Sequence, residues 1–235
     1  MNEDIAISTF QSLEIPQKRM ARSKQYRKVG VLNFASARNP GGGFLNGALA
    51  QEESLARSSA LYKSLIQCPQ YYDFHRSHRS LLYSNRTIYS PGCPVFKRDD
   101  GTLIEEPYAI DFITSPAPNA GAIARNQPQD LEKISEVLYD RASKILSLAV
   151  FQGCEALVLG AWGCGVFKND PSIVSKIFAN LLFSDRLFKG RFQQILFSVL
   201  DSTKKENTIS AFNDNLRSPF REIQKEEAIH SDREL

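Results

Sequence analysis

Apolar runs that alternate with amphipathic segments are the feature that most constrains how this chain can fold. Four mainly apolar runs, at 28–36, 108–119, 155–167 and 191–201, have the length and composition of buried strands. Strands that are apolar throughout are covered on both faces. We therefore predict an α/β fold of three layers (α/β/α), with helices on both sides of a mixed, mainly parallel sheet. The clearest helix, at 127–153, has an apolar stripe formed by Leu131, Ile134, Leu138, Ala142, Ile145 and Ala149.

Turn and cap residues define the remaining elements and the domain limits. Prolines in the run at 86–96 favour a strand at the edge of the sheet, because proline cannot donate to a strand ladder. Helices are predicted at 170–184, capped by Asp170, and at about 204–216. Another helix, from Ala48 to about Gln67, would place Leu49, Leu55, Ser59, Tyr62 and Ile66 on one face. We expect a polar helical arm over 1–27, one domain over 28–220 and a charged tail over 221–235.

The composition excludes several broad classes of protein. The chain has 235 residues, of which 42% are hydrophobic and 23% charged, as in globular domains. Its net charge of +3 is too small to indicate nucleic acid or an anionic membrane as a partner. No apolar run reaches the roughly 18 residues that span a bilayer, and the N-terminus lacks the apolar core of a secretory signal.

The cysteines favour a reducing compartment. Cys68, Cys93, Cys154 and Cys164 form no CxxC pair and no disulfide-dense pattern. Free thiols are therefore the better interpretation, which fits a cytosolic or nuclear protein, and we predict a cytoplasmic location. We also expect it to be a monomer without a membrane partner.

Two glycine-rich loops each follow a predicted strand, which is where open α/β sheets bind ligands. The loop GAWGCGVF, at 160–167, precedes the helix that is capped by Asp170, so its amides and the helix N-terminus could receive a phosphate. The alternative is a tight turn between a strand and a helix. The loop matches neither GxGxxG nor a Walker A sequence, and the missing P-loop lysine argues against ordinary ATP or GTP hydrolysis.

The other loop contains three consecutive glycines, Gly41, Gly42 and Gly43, followed after seven residues by Gln51, Glu52 and Glu53. Glycines remove side-chain bulk, so such a loop can close on a ligand. The alternative is that the glutamates only complement the positive end of a helix, which leaves the glycines unexplained. A glutamate that acts as a general acid needs a raised pKa, so burial would have to outweigh the helix end, which lowers it.

The segment GGGFLNGALAQEE, at 41–53, resembles the signature loop of poly(ADP-ribose) glycohydrolases. The wider block VLNFASARNPGGGFLNGALAQEESLARSSALY, at 31–62, resembles the bacterial-type branch of that family. The segments YSPGCPVFKRDDG, ITSPAPN and LGAWGCGVFKNDP continue the resemblance in order, so that it covers about Val29 to Asp201.

This resemblance implies a macrodomain-like fold that binds ADP-ribose. Within the family's motif, Glu53 would be the catalytic acid and base, and Glu52 would hold ribose hydroxyls near the scissile bond. One of Asn33 and Asn39 would contact the terminal ribose, and the residues alone do not decide between them. The remaining substrate-binding residues implied by the resemblance are Gly41, Gly42, Gly43 and Gln51 in the first loop, and Gly163, Cys164, Gly165, Val166 and Phe167 in the second.

The function implied is hydrolysis of the ribose–ribose bond of poly(ADP-ribose), releasing ADP-ribose and reversing ADP-ribosylation. Two alternatives remain open: removal of a single ADP-ribose from a protein or nucleic acid acceptor, and a non-catalytic module that binds ADP-ribose. The intact glutamate pair counts against the second. Glutamates can supply the acid and base that a ribosyl bond needs, so no metal or other cofactor is expected.

Three other features have simpler interpretations. His75 and His78 have a spacing that suits one helix face, but no third ligand accompanies them, so a metal site is not predicted. Cys164 is interpreted as a small residue beside a phosphate rather than as a nucleophile. From the residues alone, Trp162 and Phe167 would be core aromatics.

Overall fold

Six strands form one sheet in a computed structural model that describes residues 4–9, 26–201 and 206–216. The strands are β1 (Asp4–Thr9), β2 (Val29–Phe34), β3 (Ile88–Lys97), β4 (Leu103–Ser115), β5 (Ala156–Gly160) and β6 (Gln194–Val199). Their order across the sheet is β1-β6-β5-β2-β4-β3. All neighbours are parallel except β3 and β4, so five strands end at the same edge of the sheet. The predicted mixed, mainly parallel sheet is confirmed.

Helices cover both faces of this sheet. They are α1 (Gln51–Ser58), α2 (Leu61–Leu65), α3 (Pro69–Ser77), α4 (Ala120–Asn126), α5 (Ile134–Phe151), α6 (Pro171–Ala179) and α7 (207–216). Val31 and Val158 belong to a core that includes residues of α1, α2 and α3. Leu32 and Leu157 belong to a second core, with residues of α5, α6 and α7. Neighbouring residues of one strand thus enter different cores, which confirms the three predicted layers.

The helix predicted from Ala48 to Gln67 is two helices. The chain is extended at Ser59, whose main chain forms a bridge with Val95 of β3, so α1 ends at Ser58 and α2 begins at Leu61. Leu49 and Ile66 were predicted on the buried face, but they are 83% and 38% exposed. The spacing was compatible with one helix, and the contact with β3 overrides it.

One other boundary also differs from the prediction. The helix predicted at 127–153 begins as a 3-10 turn, Pro128–Lys133, and becomes α-helical only at Ile134, so Leu131 lies outside the buried stripe and is 43% exposed. By contrast, the predicted cap of α6 is confirmed, because the side chain of Asp170 accepts a hydrogen bond from Ser172 N at 2.8 Å.

The prediction of a helical arm over 1–27 is wrong at its beginning. Asp4–Thr9 is a strand that pairs in parallel with β6 along its whole length and forms one edge of the sheet. The sequence there, DIAIST, contains three β-branched residues, and the polar composition of the longer window obscured them. Residues 10–25, with most of the predicted basic arm, and the predicted tail over 221–235 lie outside the described residues.

Among the residues that the structure describes, no helix is both long and apolar enough to cross a membrane.

A buried arginine joins α5 to two loops at the carboxyl edge of the sheet. Arg141 is 1% exposed and donates to Asn85 Oδ1 at 3.0 Å, Pro116 O at 2.7 Å and Leu82 O at 2.9 Å. Burial lowers the pKa of Arg141 to about 10, so the guanidinium is still charged at neutral pH. These three hydrogen bonds therefore offset the free-energy cost of removing the guanidinium from water.

Replacing Arg141 with Met should lower the free energy of unfolding by about 2–4 kcal/mol, because three acceptors would lose a charged donor. The matched control is Lys144→Met on the exposed side of α5, which should change that free energy by less than about 0.5 kcal/mol. Urea denaturation of both variants measures the difference. Equal midpoints would contradict a stabilising role for the guanidinium.

Candidate active site

The two glycine-rich loops leave neighbouring strands at the same edge of the sheet. The first follows β2 and the second follows β5, and these strands pair in parallel from Val29 and Ala156. Their pairing ends at Val31 and Val158, although β2 continues to Phe34 and β5 to Gly160. The strands therefore separate towards their carboxyl ends, and the loops lie on either side of the resulting crevice.

The three glycines of the first loop pack against the two glutamates. Gly41 and Gly42 have φ values of +68° and +62°, which side chains rarely adopt. A Cβ on Gly42 would lie 2.3 Å from Glu53 Oε1 and 3.2 Å from Glu52 Oε2. Gly43 N donates to Glu53 Oε1 at 2.9 Å. The absent side chains thus leave room for the carboxyl groups, in addition to any room they leave for a ligand.

Gln51 fastens the beginning of α1 to the end of β2. Its Nε2 donates to Leu32 O at 2.8 Å, and its Oε1 accepts from Phe34 N at 2.8 Å. Both ends of the amide are thus bonded to the main chain of β2, as a neighbouring strand would be. Its predicted contact with substrate stays a prediction, and these bonds also fix the turn of α1 that carries the glutamates.

Glu52 is the more enclosed of the two carboxyl groups. It is 3% exposed, against 8% for Glu53. Its Oε2 accepts from Ser36 N at 2.6 Å and its Oε1 accepts from Asn33 Nδ2 at 3.3 Å. Burial raises the pKa of Glu52 to about 8, although the hydrogen bonds from Ser36 and Asn33 lower it. Burial therefore outweighs these hydrogen bonds, and the Glu52 carboxyl is protonated at neutral pH.

The structure separates the two candidate asparagines. Asn33 is fully buried and donates to both Glu52 and Thr114, whose Oγ1 lies 3.2 Å away. Its Oδ1 is buried and has no hydrogen-bond partner. Asn39 is exposed, and its carbonyl accepts from Gly42 N at 3.0 Å, so its main chain holds the turn. Only Asn33 therefore has its side chain in the glutamate network.

The second loop contains two glycines with different surroundings. Gly163 has φ +75°, and a Cβ there would lie 2.4 Å from the Cβ of Ala117 and 2.5 Å from Asn169 Nδ2. A Cβ on Gly165 would meet no atom within 4 Å. Gly163 is thus required by the packing of the loop, whereas Gly165 leaves the main chain open to a ligand.

The other residues of the second loop differ in exposure. Val166 is 77% exposed, and Phe167 is half-buried with its ring 6.0 Å from that of Tyr83. Burial raises the pKa of Cys164 to about 12, so the thiol stays protonated and is a poor nucleophile at neutral pH. Trp162 is 1% exposed and donates to Ser115 O at 3.0 Å, which confirms it as a core residue.

Comparison with known proteins identifies the family. The family model described as microbial-type PARG, catalytic domain, matches residues 2–98. The crystal structure of poly(ADP-ribose) glycohydrolase from Thermomonospora curvata is 47% identical to this chain, with a TM-score of 0.85, and the alignment covers 92% of this chain and 77% of that one. This chain belongs to the microbial-type poly(ADP-ribose) glycohydrolase family.

Two liganded structures of the same glycohydrolase family are also similar. The Thermomonospora curvata glycohydrolase bound to the inhibitor ADP-HPD is 48% identical, with 89% of this chain and 78% of that chain covered and a TM-score of 0.82. The glycohydrolase from Deinococcus radiodurans in complex with ADP-ribose is 40% identical, with 93% and 86% covered and a TM-score of 0.84. No curated protein sequence matches significantly.

Three residues that hold the candidate site together were not among the predicted site residues: Ser36, Thr114 and Asn169. Ser36 and Thr114 each bond a residue of the glutamate network, and both are small residues near strand ends with no motif of their own. Asn169 donates to Pro118 O and Gly163 O and thereby closes the second loop. The sequence feature that could have indicated Asn169 is its position directly before Asp170, the cap of α6.

His75 has a structural role, because protein groups lie within hydrogen-bond distance of both its ring nitrogens. Its Nδ1 lies 2.8 Å from Tyr71 O, and its Nε2 lies 2.9 Å from Ser84 Oγ and 3.3 Å from Ser84 N. A carbonyl can only accept, so Nδ1 carries the hydrogen and Nε2 accepts from Ser84 N. Burial lowers the pKa of His75, which favours this neutral form.

The raised pKa of Glu52 makes stability depend on pH. The folded chain keeps this proton up to about pH 8, whereas the unfolded chain releases it near the ordinary value of 4.5. Between these values the folded state binds more protons, so the wild type should lose up to about 1.4 kcal/mol per pH unit from this group as pH rises. Glu52→Gln should remove this slope, as measured by urea denaturation from pH 4.5 to 8.

Glu105→Gln, at an exposed glutamate, is the control and should keep the wild-type slope. A Glu52→Gln protein whose stability follows the wild-type curve would show that Glu52 titrates as an ordinary carboxyl.

Proposed function

We propose that this protein is a poly(ADP-ribose) glycohydrolase, which hydrolyses ribose–ribose O-glycosidic bonds and releases ADP-ribose. The observation that carries the proposal is the pair Glu52 and Glu53, buried beneath the triple-glycine loop at the edge where the second glycine loop begins. The identity of 40–48% to glycohydrolase structures, two of them bound to ADP-ribose or ADP-HPD, supports the same substrate.

Glu53 is assigned as the acid and then the base. Cleavage of a ribosyl bond passes through an oxocarbenium-like transition state, which needs a proton on the leaving oxygen and an activated water. Gly43 N fixes Glu53 Oε1, which leaves the other oxygen for the substrate. Glu53 donates its proton to the departing ribose hydroxyl and then takes one from the attacking water. This proton transfer involves no metal or redox cofactor.

Glu52 is assigned to the ribose hydroxyls beside the scissile bond. A protonated carboxyl can both donate a hydrogen bond to a ribose hydroxyl and accept one from it. Asn33 holds Glu52 in place, so we assign the ribose contact to this asparagine rather than to Asn39. These fixed groups orient the sugar for attack, which is a major source of rate in such reactions.

The two loops are assigned to the diphosphate. The open surroundings of Gly165 allow the main-chain amides of Gly165 and Val166 to approach it closely. Cys164 N already donates to Ala161 O at 3.0 Å, so Cys164 would border the diphosphate without donating its amide. Phe167, half-buried at the end of the loop, would pack against the ribose. The glycines at 41–43 would cover the other side of the diphosphate.

A cytoplasmic location is proposed from the cysteines. Cys68, Cys93, Cys154 and Cys164 are all free thiols in the structure. Free thiols persist in reducing compartments, where disulfides are rare. The expected monomer stays a prediction.

Replacing Gly165 with Val should weaken ADP-ribose binding by at least about tenfold, or ~1.4 kcal/mol, because a β-branched side chain would block close approach to the main chain. The variant should fold normally, since no atom lies within 4 Å of the added Cβ. Calorimetric titration with ADP-ribose measures the loss. Gly163→Ala is the contrasting variant, and its main effect should be a loss of stability. Unchanged affinity in folded Gly165→Val would remove this loop from the binding site.

Replacing Glu53 with Gln should lower turnover by about 10²–10⁴-fold, because glutamine cannot exchange the proton. ADP-ribose affinity should change little, since a contact specific to the transition state need not affect ground-state binding. Glu52→Gln should also impair turnover, through poorer positioning of the ribose. Single-turnover hydrolysis of poly(ADP-ribose) beside ADP-ribose titration separates the two effects.

Glu105→Gln serves as the control for both glutamate variants and should hydrolyse the polymer at the wild-type rate. If the glutamates were only an acidic helix cap, both variants would turn over almost normally. Retained hydrolysis in Glu53→Gln would rule out Glu53 as the acid and base of the reaction.

A further inference from the structure

Two of the three described non-glycine residues with positive φ either adjoin Phe167 or pack their ring near it. Tyr83 and Lys168 have φ values of 59° and 60°, and among the described residues only Glu206 joins them as a non-glycine residue with positive φ. Lys168 follows Phe167 directly, and the Tyr83 ring lies next to the Phe167 ring. A positive φ is energetically unfavourable for a non-glycine residue. Such a conformation occurs where the surrounding structure enforces it, often at functional sites.

The segment around Tyr83 is held from both sides. Arg141 donates to Leu82 O and to Asn85 Oδ1, while Ser84 N donates to the ring of His75. Arg141 also donates to Pro116 O, which lies next to Ala117, the residue in close contact with Gly163. One buried side chain thus fixes the Tyr83 segment relative to the second glycine loop.

The side chain of Tyr83 lies between the core and the crevice. Its ring centroid is 5.9 Å from that of His75 and 6.0 Å from that of Phe167, and the residue is half-buried. Within the described part of the chain, the Tyr83 hydroxyl forms no hydrogen bond with a protein group, and it is not buried. Asparagine or glycine would adopt the same backbone with less strain, so packing alone does not explain a tyrosine at this position.

We propose that Tyr83 is a substrate-binding residue that forms an aromatic wall with Phe167. The ring of Tyr83 packs beside the ribose that contacts Phe167, and its hydroxyl donates to an oxygen of ADP-ribose. Because the Tyr83 ring is already held in place before a ligand binds, it loses little conformational freedom on binding, which favours affinity. This inference rests on the proposed function, because it needs ADP-ribose in the crevice.

Calorimetric titration with ADP-ribose of the wild type, Tyr83→Asn and Tyr83→Phe tests the proposal. Tyr83→Asn, which tolerates the left-handed backbone, should lower affinity by at least about tenfold. Tyr83→Phe retains the ring and should lose about 3- to 10-fold, as expected for one hydrogen bond. The control is Tyr139→Asn on α5, which is 40% exposed and should bind like the wild type.

Steady-state kinetics on poly(ADP-ribose) provide a second readout. Loss of a contact made equally in the ground and transition states should raise KM for Tyr83→Asn and change kcat by less than about twofold. Tyr83→Gly, which also accepts positive φ, is a second variant without the ring and should give the same result.

Wild-type affinity and KM in folded Tyr83→Asn or Tyr83→Gly would overturn the assignment of Tyr83 and leave the proposed function intact. A wild-type protein that neither binds ADP-ribose nor cleaves the polymer would overturn the proposed function instead. Thermal unfolding of each variant identifies any that fail to fold.

Discussion

The hydrogen bonds between the end of β2 and the first turn of α1 are the interactions on which the candidate site depends. Gln51 is bonded to the main chain of β2 on both sides of its amide, so α1 begins at a fixed place beside the sheet. Ser36 N and Gly43 N then hold Glu52 and Glu53. Two adjacent carboxyl groups are thereby buried at one helix end, at the sheet edge where open α/β folds bind their ligands.

Burial and the helix end act in opposite directions on the carboxyl group of Glu52. The positive end of a helix favours a negative charge, whereas removal from water disfavours it. At Glu52 burial prevails, and its pKa rises to about 8. The Glu52 carboxyl is therefore neutral at neutral pH, in a space closed by Gly42.

Much of the fold could be predicted because alternating apolar strands and helices leave few layered arrangements. The triple glycine and the glutamates could likewise be predicted to form one site, because they lie within a short stretch of sequence. The break at Ser59 and the strand Asp4–Thr9 could not be predicted, because they depend on pairing with β3 and β6, which lie far away in the chain. The roles of Arg141 and Tyr83 could not be predicted either, because the groups that they contact belong to other segments of the chain. The division of the glycines into Gly163, required by packing, and Gly165, open to a ligand, also needed the structure.

Product analysis of the wild-type enzyme tests the central claim most directly. Labelled poly(ADP-ribose) and several mono-ADP-ribosylated acceptors would be incubated separately with the enzyme in excess chelator, and the products resolved. We expect free ADP-ribose to accumulate from the polymer at the rate seen without chelator, because carboxyl groups carry out the proton transfer. If the polymer stays intact, whether or not the mono-ADP-ribosylated acceptors release ADP-ribose, the protein does not cleave poly(ADP-ribose) and the claim is contradicted. Activity that disappears in chelator and returns with Zn²⁺ or Mg²⁺ would contradict a mechanism in which carboxyl groups alone transfer the proton.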